Sequence, residues 1–205
     1  MVTAKPFIYA CDGDVMVANQ LSRGCKEEAP PMKTLYLLRH AKSSWDDPNL
    51  DDFHRPLNKR GRKAARAMAD YFAHHGLRPA MVLCSPALRT RQTLDALAAQ
   101  LDAVEITFDE RIYEASLQTL LARIHELPDH AGQVLLVGHN PGLERLALTL
   151  AETGVGDLAL ARLHDKFPTG TLAMLTTQAE QWDAVRAGSC RLEAFVRPAD
   201  LDEEA

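Results

Sequence analysis

The chain has 205 residues, 46% of them hydrophobic and 25% charged, a balance that suits one globular domain with a sizeable core. Its net charge of -5 asks for neither nucleic acid nor an anionic membrane as partner, and no apolar run approaches the roughly 20 residues of a membrane-spanning helix. The four cysteines, Cys11, Cys25, Cys84 and Cys190, form no C-x-x-C pair, which argues against a zinc or redox motif and fits a reducing, cytoplasmic interior.

Residues 1–31 carry no helical stripe and end in Pro30-Pro31. They lack the apolar core of a signal peptide and read as a disordered or non-native extension, with Met32 as the natural start and 32–205 as the domain. One decoy sits here. "FIYACDGDVMV" has the D-x-D look of the aspartate-nucleophile phosphatases, whose carboxylates hold Mg²⁺. A new strand begins within twenty residues of it, leaving no space for the helical domain such enzymes need, so a solvated loop is the better reading.

From Thr34 the pattern alternates strand and helix. "TLYLL" (34–38) is a buried strand, followed by a polar loop over 41–57. Asn58 caps a helix running to about His75 and stopped by Gly76, with a stripe of Ala64, Met68, Ala69 and Phe72. "AMVLC" (80–84) is the second strand. Ser85-Pro86 reads as an N-cap with a first-turn proline, opening a helix with Leu94, Leu97, Ala98 and Leu101. "VEITF" (104–108) is the third strand, and Ser116 caps a helix carrying Leu117, Leu120, Leu121, Ile124 and Leu127 before Pro128. "QVLLVG" (133–138) is the fourth strand, followed by a helix striped by Leu143, Leu146, Ala147 and Leu150. "TLAMLT" (171–176) and "RLEAFV" (191–196) are two more strands, with no helix between them, so one can pair antiparallel. The order predicts a three-layer α/β/α sandwich on a mostly parallel sheet.

In such sheets ligands collect beyond the carboxyl ends of the strands. The first strand ends in Arg39-His40. The second ends before Ser85-Pro86, with Arg89 on the first turn of its helix. The fourth ends before Gly138-His139-Asn140-Pro141-Gly142. Two arginines and two histidines therefore converge on one rim. Guanidinium forks match phosphate oxygens, and helix N-termini favour anions. A histidine held neutral by a backbone acceptor can attack phosphorus through its free nitrogen, and fixed positive charge stabilises the pentacoordinate state without a metal.

On "LLRHAK", "RPLNKRG", "CSPALRTRQT", "DERIYEAS" and "VGHNPGL", in that order, the chain resembles the histidine phosphatase superfamily, with the phosphoglycerate-mutase-like fold. Within it the chain is most similar to the short SixA-like phosphohistidine phosphatases, over about residues 33–197. The resemblance implies that His40 is the nucleophile, that Arg39, Arg89 and His139 line the phosphate pocket, and that Glu114 stands where many relatives keep a proton-donating glutamate. Such an acid would need a raised pKa to start protonated. Ala41 replaces the glycine usual after Arg-His. The implied enzyme uses no cofactor or metal. Its substrate is a phosphohistidine on a protein; the alternative is a small phosphomonoester such as a sugar phosphate or nucleotide. A mutase is disfavoured by the missing insertions, and a non-catalytic phosphate-binding module by the presence of both His40 and His139.

Other residues have plainer readings. Arg91 faces away from Arg89 and is solvated. His74 and His75 sit in the last turn of a helix, where positive charge is favoured. His54, His125, His130 and His164 lack ligand-spaced partners. Trp45 either flanks the site or packs under its loop, and Lys42, Ser43 and Ser44 either donate to phosphate or solvate the loop. "DDPNLDDFHR" reads as a solvated loop; if it reaches the rim, it repels highly anionic substrates and favours a partner with basic groups.

Overall fold

A computed structural model describes residues 32–152 and 158–201. The expectations for residues 1–31, including the D-x-D decoy, lie outside these described residues. In chain order the elements are β1 (Lys33–Arg39), α1 (Lys59–His74), β2 (Met81–Cys84), α2 (Leu88–Asp95), β3 (Glu105–Phe108), α3 (Leu117–His125), β4 (Gln133–Gly138), α4 (Gly142–Leu150), α5 (Leu158–Asp165), β5 (Leu172–Thr177), β6 (Arg191–Val196) and α6 (Pro198–Leu201). Single 3-10 turns cover Asp52–His54, Ala98–Gln100, Glu110–Ile112 and Trp182–Ala184.

The strands form one six-stranded sheet in the order β3-β2-β4-β1-β5-β6. β3, β2, β4 and β1 pair in parallel, as short apolar strands separated by helices must. β5 runs antiparallel to β1, and β6 antiparallel to β5, as the missing helix between them predicts.

Alternation along the strands divides the core. Leu35, Leu37, Leu83, Val134 and Leu136 face one way, onto Leu120 and Ile124 of α3, Leu143 and Leu146 of α4, and Leu160 and Leu163 of α5. Tyr36, Leu38, Val82, Leu135 and Val137 face the other way, onto Met68 and Phe72 of α1 and Leu94 of α2. Leu37 and Leu38 are fully buried, each contributing about 1.5–3 kcal/mol of transfer free energy. The predicted sandwich is therefore present, with helices on both faces.

Local signals hold where the cap is a side chain. Asn58 accepts from the Gly61 amide at 2.8 Å, Ser116 from the Thr119 amide at 3.1 Å, and Gly76 takes the left-handed φ of 62° that ends α1. Other expectations need correction. Ser85 does not cap α2, which begins at Leu88 behind Ala87; its hydroxyl is engaged by His139 instead. The helix also ends early, at Asp95, leaving Ala98 exposed in a 3-10 turn. On α1 the core takes Ala65 rather than Ala64. β3 is an edge strand, so Ile106 and Phe108 stay largely exposed. α5 was not legible: its buried stripe is only Leu160 and Leu163.

Candidate active site

The three rim segments leave β1, β2 and β4, and these strands are neighbours in the order β2-β4-β1. Their register aligns Arg39 with Gly138 and Cys84 with Val137, so His40, Ser85 and His139 emerge side by side. The His40 amide donates to the Gly138 carbonyl at 3.1 Å and the Ser85 amide to the Val137 carbonyl at 3.0 Å, which extends the ladder to the site.

His40 is 8% exposed, and its Nδ1 lies 2.7 Å from the Ala41 carbonyl. A carbonyl only accepts, so Nδ1 carries the hydrogen and Nε2 keeps a free lone pair. Burial pushes the imidazole pKa down to about 4, against the Ala41 contact and with the help of Arg89 and Arg39. The ring is therefore neutral at neutral pH. Ala41 is fully buried, and its amide donates to Thr93 Oγ1 at 3.0 Å; that hydroxyl donates to the Arg89 carbonyl at 2.7 Å. The loop after His40 is thereby tied to the start of α2.

His139 lies against His40, with ring centroids 5.1 Å apart. Arg89 Nη2 approaches His139 Nδ1 at 3.2 Å, and His139 Nε2 is 2.8 Å from Ser85 Oγ. A guanidinium only donates, so Nδ1 accepts and Nε2–H donates to Ser85. Burial, with the neighbouring His40 and Arg89, pushes the His139 pKa down to about 3. Arg39 donates Nη1 to the Phe167 carbonyl at 2.6 Å, while its Nε is buried without an acceptor. Burial lowers its pKa, opposed by Glu144 and aided by Arg89. Asn140 joins the same corner, its amide nitrogen donating to Glu144 Oε2 at 2.8 Å and to Phe167 O at 3.1 Å.

The structure thus brings His40, Arg39, Arg89 and His139 together. Glu114 follows Tyr113, whose ring packs against His139; it is exposed, with a left-handed φ of 49°, and its carboxylate makes no hydrogen bond or ion pair among the described residues.

Sequence reasoning missed a second layer of the site. Asp52, in the aspartate-rich loop, accepts from Arg89 Nη2 at 2.7 Å and Tyr113 Oη at 2.9 Å through Oδ2, and from Arg55 Nη1 at 2.9 Å through Oδ1. Burial would raise its pKa, but Tyr113, Arg89 and Arg55 outweigh it and hold the carboxyl below its ordinary value. Arg55 is itself buried, donating Nε to Ser44 O and Nη2 to Ser43 Oγ. Trp45 is 77% exposed and lies over the Arg55 guanidinium, so it does not pack under the loop. Phe53 packs edge-on against Tyr113, and Tyr113 edge-on against His139. The run "DDFHRP" is thus partly a strap over the rim rather than a fully solvated loop. The available signal was the i, i+3 spacing of Asp52 and Arg55, which means little without the fold. Among the described residues no group of three or more His, Cys, Asp or Glu could hold a metal ion, and no helix is long and apolar enough to cross a membrane.

Two histidines and an arginine at adjacent parallel-strand ends, with a second arginine on the first turn of α2 and one histidine nitrogen free, suit a phosphoryl group. A profile of the Histidine phosphatase superfamily (branch 1) matches residues 35–127. An uncharacterised protein of Mycobacterium tuberculosis (strain H37Rv) is 35% identical over 162 residues, 78% of this chain and 99% of the relative. Among solved structures, a candidate phosphohistidine phosphatase SixA from Agrobacterium tumefaciens is 34% identical, covers 81% of this chain and 98% of its own, and has a TM-score of 0.68. A candidate SixA from Nakamurella multipartitia is 28% identical, covers 82% and 96%, and has a TM-score of 0.72. The chain belongs to the histidine phosphatase superfamily, among its SixA-like members.

Proposed function

We propose that this chain is a metal-independent phosphatase that removes the phosphoryl group from protein phosphohistidine through a phosphorylated His40. The observation that carries the reading is the His40 imidazole, neutral, with Nδ1 held by the Ala41 carbonyl and Nε2 free beside Arg39 and Arg89. In the first step Nε2 attacks phosphorus in line, and the bond from phosphorus to the substrate nitrogen breaks. Arg39 and Arg89 hold the phosphoryl oxygens as charge develops; His139, whose one N–H is given to Ser85, joins them by exchanging that hydrogen bond for one to phosphate. In the second step water attacks phosphorus, the bond to Nε2 breaks, and inorganic phosphate leaves.

A phosphoramidate suits a site whose expected acid, Glu114, is exposed and outside the hydrogen-bonded group. A substrate imidazole leaves readily once protonated on its own ring, so it asks less of an enzyme acid than an alkyl phosphate does. The likeness to two candidate phosphohistidine phosphatases supports the same choice. The competing reading is a phosphatase of small phosphomonoesters.

The test is phosphate release, with chelator present, from a phosphohistidine-bearing protein and from a panel of small phosphomonoesters, with His40→Ala as control. Release from phosphohistidine that the variant abolishes is the expected result. Release confined to small phosphates would move the enzyme to metabolism. No release from any substrate would leave a binding module.

A further inference from the structure

An open cleft of about 680 Å³ is lined by Lys42, Arg60, Lys63, Lys166 and Arg197 and, among the described residues, by no carboxylate. In a chain of net charge -5 that concentration of one sign is unusual. Arg60, Lys63, Ala64 and Ala67 stand at i, i+3, i+4 and i+7, so they share one face of α1. Ala64 therefore serves the cleft rather than the core, and the two alanines leave its floor open. The opposite wall is Lys166, Pro168 and Thr169 with Arg197 and Pro198 at the start of α6. Arg197 is paired with Asp200 at 2.8 Å; Lys42, Arg60 and Lys166 reach solvent.

The cleft is joined to the catalytic loop by backbone. The Gly170 amide donates to the carbonyls of Arg39 and His40 at 3.1 and 3.0 Å, and a side chain at Gly61 would meet the Lys42 carbonyl at 2.1 Å. Lys42, two residues beyond His40, lines the cleft. The strap at the rim carries Asp51 and Asp52, neither of which lines the cleft.

We propose that this cleft docks an acidic segment of the phosphorylated partner protein, alongside the residue that enters the pocket. The proposal rests on the phosphohistidine reading above and adds a determinant of substrate choice to it. Lys42, Arg60 and Lys166, exposed along an open cleft with no buried guanidinium fork converging on one point, match a string of carboxylates better than a single small anion. The acidic strap beyond the pocket opposes a polyanion lying across the whole rim, which favours an acidic protein segment over nucleic acid.

The test is the double variant Arg60→Glu with Lys166→Glu, which reverses exposed charges on opposite walls and leaves the pocket residues intact. Two readouts are taken. Binding of a fluorescent hexaglutamate peptide to the full chain is followed by anisotropy; it should weaken at least tenfold in the variant and with added salt. For a phosphohistidine protein with an acidic flank, KM should rise about tenfold or more with kcat kept, while hydrolysis of the phosphoramidate ion stays unchanged. Equal peptide binding by both proteins, tighter capture of a single-stranded oligonucleotide than of the peptide, or equal loss on the small phosphoramidate would overturn the proposal. If phosphohistidine is not turned over at all, the functional reading fails, and the peptide arm still decides the cleft.

Discussion

Asp52 and Arg89 are joined twice: Arg89 donates Nη2 to the Asp52 carboxylate at 2.7 Å and Nη1 to the Asp52 carbonyl at 2.5 Å. The guanidinium that the proposed mechanism assigns to the phosphate is therefore already engaged by an anion of the chain itself. A phosphate entering the pocket meets that negative charge nearby. At an effective dielectric of about 20, two unit charges about 5 Å apart repel by about 3 kcal/mol. Asp52→Asn should therefore tighten competitive inhibition by inorganic phosphate by about tenfold or more. An inhibition constant that stays the same or weakens would show that Asp52 chiefly orients Arg89.

The two depressed histidines predict how the site responds to pH. His40 is pushed down to about 4 and His139 to about 3, so both stay neutral where a free imidazole would be mostly charged. His40 thus keeps its free lone pair in mild acid, as the proposed attack on phosphorus requires. The folded state binds fewer protons than the unfolded chain below about pH 6.5, so these groups cost stability as pH falls from there toward about 4. The slope is about 1.4 kcal/mol per pH unit for each proton of difference. Imidazole NMR shifts recorded from pH 8 to pH 5 should show His40 and His139 flat; midpoints near 6.5 would contradict the burial argument.

Ser85 gives up a capping role to receive the His139 Nε2–H at 2.8 Å. Ser85→Ala would leave that donor buried without an acceptor, at a cost of about 1–3 kcal/mol, and free the ring to turn. Turnover should drop about 10- to 100-fold with the fold intact by circular dichroism. Unchanged kcat would mean that Arg89 alone orients His139.

Gly61 sits in the first turn of α1, where alanine normally improves a helix by up to about 1 kcal/mol. Here an added Cβ would meet the Lys42 carbonyl at 2.1 Å, and backbone gives way at a cost. Gly61→Ala should lower stability by about 1–3 kcal/mol in urea unfolding, and also slow turnover, because the loop it displaces begins at His40. A stabilised variant would contradict the contact.

The parts legible in the sequence are those written by short-range rules. Apolar runs between helices fix the parallel strands, and strand ends fix where Arg39, Ser85 and Gly138-His139 emerge; their meeting follows from β2, β4 and β1 being adjacent. Side-chain caps such as Asn58 and Ser116 are equally local. Asp52, Arg55 and Tyr113 were not legible as site residues because their bonds span long separations. Tyr113 reaches Asp52 across 61 positions and Arg89 reaches it across 37. A charged loop carries no mark of which carboxylate folds inward. Ser85 misled for the opposite reason: Ser-Pro is a good local cap signal, overridden by a histidine 54 positions away.

The most direct test of the central claim is to trap the enzyme intermediate. The chain is mixed with a ³²P-labelled phosphohistidine protein in chelator, quenched in alkali within milliseconds, and the labelled residue is mapped by mass spectrometry. The account predicts an acid-labile, alkali-stable phosphoryl group on His40, lost in His40→Ala and long-lived in a variant slowed in the water step. Substrate turnover with no label on His40, or turnover retained in His40→Ala, would contradict it.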